Sequence, residues 1–186
     1  MQEIEVKILE INQQKIIESL AKLNAKKVFD SNILTLFLDF RDEQIHKRRD
    51  VLRLRKQNDE VELTYKAIKI GEAVKVAQEY SVKVSDLETT LEILQNLGLS
   101  VTQKMNKHRL SYMINSVRFD IDRYTDEFSF IPAFLEIEGS AESIKKYAQA
   151  LGFQEKDCLP WSTDELLAYY ATKQKSRLSS SWIAFG

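Results

Sequence analysis

A single cysteine, Cys158, is all the thiol chemistry in 186 residues. It excludes an internal disulfide and a thiolate metal cluster, and it fits a reducing compartment. Only two histidines accompany it, so no His/Cys set suggests zinc. No apolar run reaches the length of a membrane span, and the acidic start is unlike a signal peptide. A cytoplasmic protein with no membrane partner is expected. Net charge is also missing. At −1 it gives no global field toward nucleic acid or an anionic membrane. Lys47, Arg48 and Arg49 lack the interleaved aromatics of an RNA-binding patch, so no nucleic-acid partner is expected. There is no internal repeat. The length predicts one domain over residues 1–175, with a flexible tail at 176–186 that includes Ser179, Ser180 and Ser181.

What the chain has in abundance is alternation. Strands are expected at Glu3–Glu10, Ile33–Asp39, Val51–Lys56, Val61–Lys69, Lys75–Val84, Thr102–Ile114, Ser116–Arg123 and Phe134–Gly139. Asn115-Ser116 predicts a hairpin turn. Helices are expected from Gln13 to Asn24 behind the cap Asn12, and from the Ser85/Glu88 capping box to Gly98. Two more follow, from Ser140 to near Gly152 and after Ser162 with Glu165 in capping-box position. Many strands and few helices make the class α+β with a large antiparallel sheet. Trp161, Tyr169 and Tyr170 are expected in the core.

The polar sides of these strands are unusual. They read Glu3, Glu5, Lys7; Arg53, Arg55; Glu62, Thr64, Lys66; Glu79, Ser81, Lys83; Lys107, Arg109, Ser111; Arg118, Asp120, Asp122; and Glu136, Glu138. A solvated sheet face is the simplest account of any one of them. Yet arginine and glutamate recur at i, i+2, while the opposite sides, rich in Val, Leu and Ile, can receive amphipathic helices. If the sheet curls with the charges inward, a barrel of about eight strands encloses one small ligand. Buried charges must be paired or liganded, so such an interior needs a ligand to justify it. Glu3, Glu5, Asp122, Glu136 and Glu138 are hard oxygen donors that suit Mg2+ or Mn2+. Lys7, Arg53, Arg55, Lys66, Lys107 and Arg109 suit phosphate. A polyphosphate bound with a divalent ion satisfies both sets.

These residues also carry a resemblance. Glu3-Ile4-Glu5-Val6-Lys7 resembles the ExExK signature of the CYTH superfamily, the triphosphate tunnel metalloenzymes. The likeness continues, in order, through Leu52–Arg55, Leu63–Lys66, Lys107–Arg109, Asp120–Asp122 and Phe134–Glu138. It implies an antiparallel eight-stranded closed β-barrel with a charged interior and helices packed outside. It also implies activity with Mg2+ or Mn2+ on triphosphate, ATP or thiamine triphosphate. Carried over by motif, Glu3, Glu5 and Lys7 are catalytic and Glu3, Glu5, Asp122, Glu136 and Glu138 hold metal. Lys7, Arg53, Arg55, Lys66, Lys107 and Arg109 bind substrate. The reading is a metal-dependent triphosphatase, most simply of inorganic triphosphate. A class IV adenylate cyclase and a non-catalytic polyphosphate-binding module are the alternatives, and a homodimer is allowed. Two departures stand out: Glu79-Tyr80-Ser81 where the family often has Glu-x-Glu, and Leu36-Phe37-Leu38-Asp39 where it often has a Tyr-Phe-Asp-like run. His46, His108 and Cys158 are expected to stand outside the chemistry.

Overall fold

A computed structural model describes residues 4–70 and 75–182, and the side chains of 4–67 and 78–174. The strands are β1 (Ile4–Ile8), β2 (Lys26–Phe40), β3 (Val51–Gln57), β4 (Glu60–Ile70), β5 (Lys75–Val84), β6 (Leu99–Ile114), β7 (Val117–Tyr124) and β8 (Phe134–Gly139). The helices are α1 (Gln13–Lys22), α2 (Gln44–Lys47), α3 (Leu87–Asn96), α4 (Ala141–Ala150) and α5 (Thr163–Trp182). The strands form one antiparallel sheet in the order β1-β8-β7-β6-β2-β3-β4-β5. That order is linear, and the ladders described do not close it. Glu3 lies outside the described residues.

Local chemistry explains the element ends. The Asn12 side chain accepts from Lys15 N at 3.0 Å and starts α1. Ser140 caps α4 in the same way, accepting from Ser143 N. Ser162 and Glu165 close a reciprocal capping box before α5: Ser162 N donates to Glu165 at 2.7 Å, and Glu165 N donates to Ser162 Oγ at 3.3 Å. The cap of α3 differs from expectation. Asp86, whose carboxylate accepts from Thr89 N at 2.6 Å, takes the position assigned to Ser85. Gly98 follows α3 with φ +95°, a left-handed conformation that glycine adopts without a Cβ penalty. β2 starts at Lys26, well before Ile33, over a stretch (26–32) whose sequence does not alternate. α5 runs from Thr163 to Trp182, and 183–186 lie outside the described residues.

The chain divides into two compact units. In the first, Glu3–Asp30 with His108–Gly186, β1, β8 and β7 present Ile8, Leu135, Ile137, Phe119 and Ile121 to Ile16 and Leu20 of α1 and Ile144 and Ala148 of α4. Phe119 and Leu20 are completely buried, each contributing about 1.5–3 kcal/mol. Tyr170 of α5 is buried but Tyr169 is 42% exposed, so only one of that pair belongs to the interior. In the second unit, Ser31–Lys107, Leu36, Leu38, Leu54 and Val61 pack with Leu87, Leu91 and Leu94 of α3. In both units the helices cover the apolar side of the strands, which leaves the charged side for other work. No helix among the described residues is long and apolar enough to cross a membrane.

Candidate functional site

Strand register assembles the acidic side of the first unit. Glu5 stands opposite Glu138 and Lys7 opposite Glu136 across β1 and β8. Across β8 and β7, Glu138 stands opposite Arg118 and Glu136 opposite Asp120. Lys7 is fixed through its backbone too: its N–H donates to Leu159 O at 2.8 Å, and Leu159 N donates back at 2.9 Å. Its Nζ lies 2.9 Å from Glu5 and 3.1 Å from Glu136, with the side chain 2% exposed. Burial disfavours the ammonium, but Glu136 and Glu5 outweigh it and hold the Lys7 pKa above its ordinary value.

Arg109 has carboxylates on every edge. Its Nε and Nη2 donate to the two oxygens of Asp122 at 2.6 and 2.5 Å. Nη2 also donates to Glu136 at 2.5 Å, and Nη1 pairs with Asp120 at 2.5 Å. Arg118 Nε donates to the other side of Asp120 at 2.9 Å, and its Nη2 donates to Ser111 Oγ at 3.3 Å. Asp120 and Asp122 are buried. A solvated strand face does not bury its lysine and aspartates, so the simpler account of these charges fails here. Asp120, Arg118 and Ser111 belong to this cluster although the sequence reading gave them no site role. Their place in the same period-2 rows as Asp122 on β7 and Arg109 on β6 was the available signal.

The second unit carries a more cationic row. Arg53 stands opposite Thr64, and Arg55 opposite Glu62 and Thr35. Thr64 in turn faces Ser81, and Lys66 faces Glu79. Lys66 Nζ lies 2.6 Å from Glu79, and Arg53 Nη2 lies 3.6 Å from the same carboxylate. Burial pushes the Glu79 carboxyl up, but Lys66 and Arg53 prevail and hold it below the ordinary value. Ser81 fills its place with hydroxyl bonds, 3.0 Å to Thr64 Oγ1 and 3.2 Å to Glu79. The Nε atoms of Arg53 and Arg55 are buried. Lys107 is half-buried on β6.

Asp39 has a different task from a ligand contact. Its carboxylate accepts from Phe40 N at 2.7 Å, Ile45 N at 2.9 Å and His46 N at 2.8 Å, which ties α2 to the end of β2. Burial would raise its pKa, but the three backbone donors lower it. His108 Nε2 lies 3.1 Å from Asp30, away from the Arg109 cluster. Burial beside Asp157 and Glu155 pushes the Cys158 thiol up, the opposite of an activated nucleophile.

A divalent ion is tested by the donors themselves. Among the described residues no three Asp, Glu, His or Cys side chains are arranged to hold a metal. The Glu5–Glu138 register nonetheless sets two carboxylates directly opposite each other, an arrangement that costs energy without a cation. Five carboxylates (Glu5, Asp120, Asp122, Glu136, Glu138) share this face with three cations (Lys7, Arg109, Arg118). The excess is two negative charges on hard oxygens, which suits Mg2+ or Mn2+. Glu3, two residues before Glu5, would add a further donor from outside the described residues.

Comparison with known proteins follows the same lines. The family model described as the CYTH domain matches residues 1–167. A protein of Methanocaldococcus jannaschii named "putative adenylate cyclase" is 27% identical over 151 residues, covering 81% of this chain and 84% of that one. A solved structure from Pyrococcus horikoshii superposes with a TM-score of 0.70 at 26% identity, covering 88% of this chain and 98% of that one. A Hippeastrum protein, whose structure is described as that of a "putative adenylyl cyclase" that reveals a dominant triphosphatase activity, shares the fold at 14% identity. Its TM-score is 0.61, over 81% of this chain and 88% of that one.

Proposed function

The chain belongs to the CYTH domain family, which includes triphosphatases and adenylate cyclases, and from that premise we propose that it hydrolyses inorganic triphosphate with a divalent metal. One observation carries the reading. Lys7 is buried between Glu5 and Glu136 on a face where carboxylates exceed cations, a costly arrangement that a bound cation and polyanion would offset. Glu3, Glu5, Asp122, Glu136 and Glu138 hold the metal in this proposal. Lys7, Arg53, Arg55, Lys66 and Arg109, assisted by Lys107, bind phosphate oxygens. Closure of the sheet into a tunnel is part of the same reading.

Bound Mg2+ or Mn2+ supplies charge neutralisation on the phosphate oxygens and favours attack by water. The chain's own groups do the rest. Arginine forks and lysine ammoniums fix the phosphate chain and stabilise the charge that gathers on the transferring phosphoryl and the leaving oxygen. A carboxylate orients the water that attacks the terminal phosphorus, the bond to the bridging oxygen breaks, and diphosphate leaves. Ser81 does not break this arrangement, because its hydroxyl extends the Thr64–Glu79 bonding beside Arg53.

The name of the Methanocaldococcus relative favours a second reading, a class IV adenylate cyclase. There the ribose 3′-hydroxyl of ATP attacks the α-phosphorus and pyrophosphate leaves. The two are separated by incubating the protein with triphosphate, ATP and thiamine triphosphate, with Mg2+ or Mn2+, and assaying phosphate, pyrophosphate and cyclic AMP. Phosphate from triphosphate, abolished in Glu5→Gln and Glu138→Gln, is the expected result. Cyclic AMP from ATP would put the cyclase first. Tight triphosphate retention with no product would leave a binding module and end the enzyme reading.

A further inference from the structure

The loop between β2 and β3, residues 41–50, carries four cations (Arg41, Lys47, Arg48, Arg49) against three carboxylates (Asp42, Glu43, Asp50). It is fixed at both ends. Asp39 takes the Ile45 and His46 N–H groups, and Tyr65 of β4 donates to Asp50 at 2.6 Å. Within this frame two of the cations are engaged by the loop itself. Lys47 Nζ donates to Asp42 O at 2.6 Å, and Arg48 Nε donates to Gln44 O at 3.1 Å. Arg41 and Arg49 are exposed, and among the described residues their guanidiniums have no hydrogen-bond or ion-pair partner. Arg49 also sits at φ +63°, a left-handed backbone conformation that glycine adopts more easily.

This loop adjoins the cationic row of the second unit. It runs straight into Val51, which pairs with Lys66 of β4, and Arg53 follows two residues later. Arg53 is four residues on from Arg49, so the chain itself keeps their Cα atoms within about 14 Å. That distance is well inside the screening length of about 30 Å at 0.01 M salt and far outside the roughly 3 Å at 1 M. An exposed guanidinium there attracts a polyanion approaching Arg53 and Lys66 without touching the reacting phosphorus. We propose that Arg41 and Arg49 form a capture site for the anionic substrate at this end of the second unit, acting on its arrival and retention and not on the chemical step. The inference rests on the triphosphate reading and adds to it two residues outside the motifs that carry the family resemblance.

The test measures triphosphate hydrolysis with Mg2+ by the full chain at low and high KCl, about 0.01 M and 1 M. When Arg41→Gln and Arg49→Gln are combined, kcat/KM should fall by about three- to tenfold at low salt, with kcat within about twofold of wild type. At high salt the difference should vanish. Glu43→Gln removes a carboxylate from the same loop and should shift kcat/KM the other way. Lys22→Gln alters the exposed end of α1, which covers the apolar side of the first unit, and should leave kcat/KM unchanged. Arg49→Gly separates capture from folding. Relief of the left-handed backbone should leave the melting temperature unchanged or raised, while low-salt kcat/KM still falls. A loss that persists at high salt, a loss confined to kcat, or no loss at all would overturn the proposal. An equal loss in Lys22→Gln would overturn it too. A wild-type chain that neither binds nor hydrolyses triphosphate would instead bring down the underlying reading.

Discussion

Lys7 and Asp39 show how differently two buried charges are used. Lys7 lies between Glu5 and Glu136, so Lys7→Met removes the ammonium they share and leaves the largely buried Glu136 with less counter-charge. We expect it to lower stability by on the order of 3 kcal/mol and to abolish triphosphate turnover. Urea unfolding and phosphate release measure the two effects. A fully stable Lys7→Met would show that the pairing contributes little. Asp39 instead serves the backbone, gathering three N–H groups. Asp39→Asn keeps one acceptor oxygen and loses the charge, and it should cost about 1–3 kcal/mol. Its kcat for triphosphate should change far less than that of Glu5→Gln.

At the scale of elements, the strands were legible because period-2 alternation survives any register. The sides carrying Glu5/Lys7, Arg53/Arg55 and Glu136/Glu138 were readable before any pairing was known. Which charge meets which was not, because Arg109 reaches Asp122 and Glu136 across 13 and 27 residues of sequence. The Asp39 cap was hidden for the same reason, since its donors at Ile45 and His46 come from another element. Helix α3 gives the local counterpart. Ser85 and Asp86 are both capping residues by type, and only the backbone angles choose Asp86. Asp86→Ala should therefore cost about 1 kcal/mol and Ser85→Ala almost nothing. The reverse order in thermal melts would contradict the assignment. On β5, Ser81→Glu would place a carboxylate against Thr64 beside Arg53. We expect the KM for triphosphate to rise by about tenfold, equivalent to 1.4 kcal/mol, with kcat changing less. An unchanged KM would argue that Arg53 does not meet phosphate.

For the molecule as a whole, a net charge of −1 conceals groups whose proton affinities diverge on folding, and these set a window of stability in pH. Asp39 and Glu79 are held below their ordinary values of 3.8 and 4.5. Their contribution is complete above those values and is lost as acid protonates the unfolded chain first and then the native carboxylates. Lys7, Tyr65 and Tyr170 are shifted the other way, above ordinary values of 10.5 for lysine and 10.0 for tyrosine. For Tyr170 the causes are burial and the Glu10 carboxylate, to which its hydroxyl donates at 3.2 Å. The folded chain keeps these protons longer, so their contribution is present below pH 10 and declines above it. The melting temperature should be flat between about pH 5 and pH 9.5 and fall on both sides. Each limb has its own variant. Asp39→Asn should flatten the acid limb and leave the alkaline one, while Tyr170→Phe should do the opposite. If both variants kept both limbs at wild-type steepness, these groups would not be the source of the window.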